Sequence, residues 1–171
     1  MRNSKSTASD PRAAALRLLT GRDRSEAELQ RKMLQLGFSA EQAEDARQYC
    51  REYGYLDDQR YALQRARMLL RTGRGVGTKI LLDLRNKGID EQSARTALEL
   101  AGAEIDSDRL LRQQLERRFP GFDCRQADDK LKRRVVSYFQ RRGYALEQIF
   151  SVLNARRDDE PSAQPEPPFP P

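Results

Sequence analysis

The stretch SEAELQRKMLQLGFSAEQAEDARQYCREYG, residues 25–54, contains the pattern that decides the fold of this chain. Ser25 followed by Glu28 is a capping box that opens a helix, because the serine oxygen and the glutamate carboxylate each satisfy a free backbone N–H. Apolar residues then recur at helical spacing up to Gly37, where a glycine readily ends a helix. Ser39 caps a second helix. We therefore predict two amphipathic helices with core faces formed by Leu29, Met33 and Leu36 in the first and by Ala43, Ala46, Cys50 and Tyr53 in the second.

The same glycine-centred pattern occurs three times, at Gly37, Gly88 and Gly143, so the chain contains an internal repeat with spacings of 51 and 55 residues. Alternation of apolar and polar residues, which is typical of strands, is missing. Each glycine is flanked by apolar residues four and eight positions before it and one, six and nine positions after it. We predict that each glycine joins two helices packed face to face, and the shared apolar positions are Met33, Leu84 and Phe139; Leu29, Ile80 and Val135; Phe38, Ile89 and Tyr144; Ala43, Ala94 and Ile149; and Ala46, Ala97 and Val152.

A further helix is predicted before each pair, which makes an all-α protein of tandem three-helix, helix-turn-helix-like repeats. These additional helices are expected at about 12–20, 58–72 and 108–119, within repeats that span 12–57, 58–103 and 104–155. The polar residues 1–11 are predicted to be a disordered tail. Residues 156–171 include six prolines and are predicted to be a second disordered tail of polyproline character, either solvated or bound by a proline-recognising module.

The composition excludes several classes of chemistry. The 171 residues include no His, no Trp and two Cys, which excludes Ser-His-Asp and Cys-His catalysis and zinc binding through His. We expect no enzymatic activity, no cofactor and no metal, and we expect Cys50 to be a small buried apolar residue. No apolar run reaches the roughly 18–20 residues of a membrane span, and no secretion signal is found. A cytoplasmic protein without membrane contact is therefore predicted.

Positive charge is concentrated in the second and third repeats. Residues 60–88 hold 8 basic and 1 acidic residue, and residues 109–142 hold 11 and 4, whereas residues 22–57 hold 6 and 8. At 100° per residue, four arginines fall on one stripe of the predicted helix at 58–72. We call Arg60, Arg67, Arg71 and Arg74 the first cation row, and Lys130, Arg134 and Arg141 in the third repeat the second cation row. Each row is either a solvated helix face or a surface for an anionic partner, and the shortage of neighbouring acids, with Asp83 alone in residues 60–88, favours the partner.

Two other motifs have structural explanations. The stretch GRGVGTK, residues 73–79, lacks the glycine spacing, the Lys-Ser/Thr order and the preceding strand of a phosphate-binding loop. We predict a flexible connection that opens the next helix at Thr78. The adjacent carboxylates of Asp57 and Asp58 suggest metal binding, but neighbouring residues at a helix start point in different directions, so a helix cap is predicted instead.

Motifs spread over about residues 12–155 form a specific set. They are Gly54-Tyr55-Leu56-Asp57-Asp58 with Arg60-Tyr61-Ala62; Gly73-x-Gly75; Ile80, Leu84-Arg85 and Lys87-Gly88-Ile89; Ser25, Glu28-Leu29 and Lys32 in the first repeat; and Arg142-Gly143-Tyr144 in the last. This set resembles the signature of the RecX family, bacterial regulators of the RecA recombinase. The family often has Gly-Pro after the paired glycines, where this chain has Val76-Gly77-Thr78. This departure leaves the angle between the first two repeats open.

The resemblance implies an elongated, curved array of repeats that lies in the groove of the RecA–DNA filament, mainly inhibits RecA and limits its ATPase and strand exchange. It implies no enzymatic activity. We expect a monomer whose partner is the RecA filament, with single- or double-stranded DNA as a further partner of the cation rows. The alternative is a general nucleic-acid-binding helical protein that contacts phosphate directly, and binding to RecA without DNA distinguishes the two. The candidate contact residues for RecA or DNA are Arg60, Arg67, Arg71, Arg74, Lys79, Arg85, Lys87, Lys130, Arg134 and Arg141.

Overall fold

The computed structural model describes residues 10–155, and the regular secondary structure of this range is entirely helical. Its helices are α1 (Pro11–Gly21), α2 (Glu26–Gln35), α3 (Ala40–Glu52), α4 (Asp58–Arg71), α5 (Thr78–Asn86), α6 (Glu91–Glu104), α7 (Ser107–Arg118), α8 (Asp129–Gln140) and α9 (Leu146–Ala155). They form three consecutive triplets in which the third helix packs on the first two: α3 on α1 and α2, α6 on α4 and α5, and α9 on α7 and α8. The all-α tandem repeat fold is therefore confirmed. The predicted repeat boundaries stay a prediction, and the predicted tails at 1–9 and 156–171 lie outside the described residues.

The chain divides into two compact units between Ile105 and Asp106. The first unit contains α1 to α6, which are the first two triplets. The second unit contains α7 to α9.

Side-chain caps set the starts of the helices. The carboxylate of Asp10 accepts the backbone N–H of Arg12, and Pro11 takes the first helical position, where its missing N–H costs nothing. Helix α1 thus begins inside the range predicted as a tail. Ser39 and Gln42 form a complete capping box at α3.

The predicted capping box at Ser25 is shared with distant partners. The Ser25 hydroxyl accepts the N–H of Glu28, as expected for a cap of α2. The Glu28 carboxylate interacts with the Ser25 backbone, but its stronger hydrogen bonds come from side chains of the second repeat.

The three repeat glycines have the same conformation. Gly37, Gly88 and Gly143 have φ values of 90°, 83° and 95°, in the left-handed region that an L-residue enters at a cost. After each glycine the chain turns back, and the next N–H donates to the carbonyl five residues earlier at 3.1–3.3 Å, as in a Schellman motif. The three bonds run from Phe38 to Met33, from Ile89 to Leu84 and from Tyr144 to Phe139. The predicted repeat is confirmed at the level of individual hydrogen bonds.

The predicted core positions of the repeat are buried, except that Phe38 is half-buried. Cys50 is buried in the core of the first triplet, as predicted. Leu36 and Tyr53 were predicted on the same core faces, but 54% of Leu36 and 64% of Tyr53 is exposed. Each is the residue just after its helix ends, where the helical periodicity no longer places a side chain on the core.

Candidate interaction surface

Helix α4 holds three members of the first cation row. Arg60 and Arg71 are exposed, and Arg67 is half-buried. The Arg60 guanidinium donates to the carbonyl of Gly54 at 3.3 Å. The predicted position of Arg74 on the same helix is wrong: α4 ends at Arg71, so Arg74 lies exposed in the following loop.

Acidic side chains distant in sequence neutralise part of this charge. Arg67 Nε donates to Glu104 Oε2 at 2.8 Å, and Arg65 makes two hydrogen bonds to Asp83, at 2.8 and 3.0 Å. The shortage of acids in residues 60–88 is therefore compensated in the fold, since α6 supplies Glu104. The predicted contact residues of this segment that make no ion pair within the described range are Arg60, Arg71, Arg74, Lys79 and Arg85.

Of the three candidate contact residues on or next to α5, two are exposed and one is bonded within the protein. Helix α5 begins at Thr78, as predicted, and Lys79 and Arg85 are exposed. Lys87, the residue just after α5, is half-buried, and its Nζ donates to Glu28 Oε1 at 2.7 Å. Val76, in the loop before α5, is 4% exposed. The connection that was predicted to be flexible is therefore anchored in the core.

The second cation row lies on α8 in the other unit. Lys130 and Arg134 are exposed on the helix, and Arg141 is exposed at its end. None of the three makes an ion pair with residues 10–155. Behind this row, the Tyr138 ring contacts two phenylalanines edge-on, at centroid distances of 5.3 and 5.1 Å. Aromatic contacts therefore stabilise the helix that carries these cations, and the two cation rows belong to different units of the chain.

The adjacent acids Asp57 and Asp58 cap two different helices. Asp57 accepts the N–H of Arg60 at 2.9 Å and so caps α4, as predicted. Asp58 instead accepts the N–H of Glu26 at 2.8 Å, at the start of α2 in the preceding repeat. Burial, and then the neighbouring Asp57 carboxylate, raises the pKa of Asp58 to about 6. Asp57 therefore acts locally, and the side chain of Asp58 connects the first two repeats.

Glu28 is the centre of what we call the inter-repeat network. Its side chain is 10% exposed, and it accepts hydrogen bonds from Lys87 Nζ and, at 2.9 Å, from the Tyr61 hydroxyl. Burial acts to raise the pKa of Glu28, but the hydrogen bonds from Lys87 and Tyr61 outweigh it and hold the pKa below its ordinary value. The buried Ser25 hydroxyl donates to the carbonyl of Lys87. With Asp58, these residues join α2 to α4 and to the end of α5.

This network was missed from the sequence. Ser25 and Glu28 have the spacing of a local cap, and no local pattern pairs Glu28 with a lysine 59 residues later. Lys87 was therefore predicted as a contact residue for RecA or DNA. Its Nζ is the ion-pair partner of Glu28, so the structure gives it a role within the protein.

Within residues 10–155, no group of three or more His, Cys, Asp or Glu side chains could hold a metal ion. No helix in that range is long and apolar enough to cross a membrane. The glycine-rich loop leads into α5 through Gly77, without a preceding strand in the described residues. The fold and the surface together define a class of protein: a tandem three-helix-repeat protein with exposed cationic rows.

Comparisons with known proteins identify the family. The family model described as the first three-helix domain of RecX matches residues 12–50, and that of the third three-helix domain matches residues 106–153. The regulatory protein RecX of Syntrophotalea carbinolica is 40% identical over 148 residues, which are 86% of this chain and 97% of that protein. The regulatory protein RecX of Mycolicibacterium vanbaalenii is 36% identical over 87% of this chain and 83% of that protein. The chain belongs to the RecX family of regulatory proteins.

Solved structures agree on the fold. The crystal structure of RecX from Lactobacillus salivarius matches with a TM-score of 0.66 and 20% identity, over 85% of this chain and 93% of that one. A second crystal structure of a regulatory protein RecX matches with a TM-score of 0.67 and 23% identity, over 85% of this chain and 72% of that one. At these identities the likeness establishes the tandem three-helix architecture.

Proposed function

We propose that this protein modulates the RecA recombinase, mainly as an inhibitor, by binding in the groove of the RecA–DNA filament and limiting its ATPase and strand exchange. It acts in the cytoplasm, as a binding protein without catalysis of its own. The observation that carries the proposal is a set of exposed cations on a member of the RecX family that make no ion pair with residues 10–155: Arg60, Arg71, Arg74, Lys79 and Arg85.

Repulsion between exposed cations favours binding to an anionic partner. Like charges that are not neutralised lower the stability of the free protein, and an anionic partner removes this cost on binding. RecA carboxylates and filament-bound phosphates both present such charge. Arginine suits both anions, because its planar guanidinium can donate two parallel hydrogen bonds.

The test replaces Arg60 and Arg71 together with alanine. Both side chains are exposed and make no ion pair within the described part of the chain, so the free energy of unfolding is expected to change by less than about 0.5 kcal/mol. If each arginine makes a charge-assisted bond of about 1.5–3 kcal/mol, the affinity for the RecA filament falls by two to four decades at about 1.4 kcal/mol per decade. Inhibition of the RecA ATPase is expected to shift to correspondingly higher protein concentrations.

The matched control is the replacement of Arg51 and Arg95 with alanine. These arginines are exposed on α3 and α6, and their loss changes the net charge by the same amount. Arg95 pairs with Glu91 of its own helix, an exposed pair of small energetic weight. The control is expected to inhibit RecA like the wild type. Equal inhibition by wild type and the Arg60/Arg71 variant, over a range of salt concentrations, would contradict a role for α4 and direct attention to the second cation row.

General nucleic-acid binding predicts a different result. In that case the wild type binds a single-stranded oligonucleotide without RecA, and immobilised RecA without DNA retains none of the protein. Modulation of RecA predicts retention on RecA. ATP hydrolysis by the purified protein alone, if it followed the protein through purification, would refute the absence of catalysis.

A further inference from the structure

A groove runs between α4 and α6 in the second repeat, and it is separate from the inter-repeat network. Its volume is about 330 Å³, at the lower end of the ~300–1,000 Å³ typical of binding pockets. Its apolar lining consists of Leu63, Ala97 and Leu100. Leu100 is 51% exposed, which leaves a large apolar side chain in contact with solvent. We call this feature the α4–α6 groove.

The first repeat provides an internal comparison. The repeat offset of 51 residues, which relates Gly37 to Gly88, also relates Arg12 to Leu63, Asp45 to Thr96 and Tyr49 to Leu100. In the first repeat these three positions satisfy one another. Arg12 makes two hydrogen bonds to Asp45, both at 2.9 Å, and its guanidinium lies 4.9 Å from the centre of the Tyr49 ring.

The second repeat does not have this bonded arrangement at the corresponding positions. Leu63 and Leu100 carry no charge and Thr96 is exposed, so these three positions make no counterpart of the Arg12–Asp45 pair. The ion pair that does join α4 to α6, Arg67–Glu104, begins four residues further along α4. Where the first repeat has polar side chains that bond to one another, the second repeat therefore has an open apolar surface. An exposed apolar surface with a polar rim is typical of a site that another protein covers.

The charge at the mouth of the groove selects the occupant. Two charged side chains line it, Arg60 and Asp57. The Asp57 carboxylate caps α4, whereas the Arg60 guanidinium bonds, among the described residues, to the Gly54 carbonyl alone, at 3.3 Å. Asp57 keeps its negative charge, but the Arg60 guanidinium has N–H donors left for a ligand, and Arg71 is a further exposed cation on the same helix.

We propose that the α4–α6 groove binds an amphipathic helical segment of the partner protein, with an apolar side chain on Leu63 and Leu100 and a carboxylate on Arg60. This is the helix-in-groove mode of recognition. It rests on the proposed function, in which that partner is RecA. A DNA backbone is the weaker candidate, because phosphates and sugars supply no large apolar group for the two leucines.

The experiment introduces the three bonded residues of the first repeat, Arg12, Asp45 and Tyr49, at the corresponding positions of the second repeat. The variant carries Leu63→Arg, Thr96→Asp and Leu100→Tyr, so the net charge is unchanged and the new contacts are those that the first repeat already makes. Binding is measured to RecA assembled on a single-stranded oligonucleotide, and separately to the oligonucleotide alone. Affinity for the filament is expected to fall at least tenfold, with circular dichroism and the urea midpoint close to wild type.

A second pair of variants keeps the inference testable if the triple variant folds poorly. Leu100→Asp places a carboxylate in the groove, and Leu34→Asp places one on α2, at a leucine that is similarly exposed, 44% against 51%. Only Leu100→Asp is expected to weaken filament binding.

The outcomes separate the two proposals. If the wild type does not bind RecA, the proposed function fails and the groove proposal falls with it. If the wild type binds and the triple variant binds within twofold of it, the groove proposal alone is refuted. The groove proposal is also refuted if the triple substitution weakens binding to the free oligonucleotide as much as binding to the filament, since the surface would then contact DNA.

Discussion

Replacement of Gly88 by alanine is expected to separate the cost of a turn from the cost of a contact between repeats. Gly88 has a φ of 83°, and a Cβ built there would lie 2.3 Å from the Cβ of Ala27 in the preceding repeat. The left-handed conformation costs an L-residue about 1–2 kcal/mol. Overpacking adds about 1–3 kcal/mol. We expect Gly88→Ala to lower the free energy of unfolding by about 2–5 kcal/mol.

Gly37 supplies the matched control. It occupies the same repeat position with a φ of 90°, but a Cβ there would have no atom within 4 Å. Gly37→Ala is therefore expected to cost only the conformational part, about 1–2 kcal/mol. Urea unfolding with linear extrapolation, at matched slopes, measures both variants.

A rescue variant tests the contact directly. Ala27→Gly removes the methyl group that the new Cβ would meet, at a cost of about 1 kcal/mol for glycine inside α2. In that background Gly88→Ala should cost no more than Gly37→Ala does in the wild type. The reasoning is wrong if Gly88→Ala and Gly37→Ala differ by less than about 0.5 kcal/mol, or if Ala27→Gly gives no rescue.

Two further predictions concern single side chains. The Tyr144 hydroxyl is buried without a hydrogen-bond partner in the described part of the chain, so Tyr144→Phe should raise the free energy of unfolding by about 1 kcal/mol, and a lower urea midpoint would contradict this. The pKa of Asp58 is raised to about 6, so between pH 4 and 6 the folded protein retains a proton that the unfolded chain has already released. This residue therefore makes the protein less stable as pH rises through that range. Asp58→Asn keeps an acceptor for the N–H of Glu26 and removes the titration, so the stability difference between wild type and variant should change from pH 4 to 7; a constant difference would refute the assignment.

Local signals in the sequence were sufficient for the architecture. The spacing around Gly37, Gly88 and Gly143 predicted both the left-handed turns and the buried positions, because helix ends and amphipathic faces are determined within a few residues. Helical spacing no longer predicts the position of a side chain once the helix has ended. Leu36 continues the apolar spacing in the sequence but lies outside α2, and Arg74 likewise lies beyond α4.

The candidate surface was predicted less completely, because ion pairs depend on contacts between distant segments. Arg67 and Lys87 have the same sequence appearance as Arg71 and Arg85, and only the fold brings Glu104 and Glu28 to them. The α4–α6 groove is different again. Its three positions were available from the 51-residue offset, but their meaning required seeing Arg12 bonded to Asp45 in the first repeat.

The inter-repeat network also orders events during synthesis. The chain leaves the ribosome from its N-terminus, so the N–H of Glu26 has no access to its acceptor until residue 58 has emerged. The hydrogen bond from the Ser25 hydroxyl to the carbonyl of Lys87 can form only later, when Lys87 has emerged. The first repeat can form its helices earlier, but its final hydrogen bonds depend on residues made about 30 and 60 positions later. A nascent chain that stalls after residue 58 and before residue 87 would therefore expose the start of α2 without its hydrogen bond to Lys87.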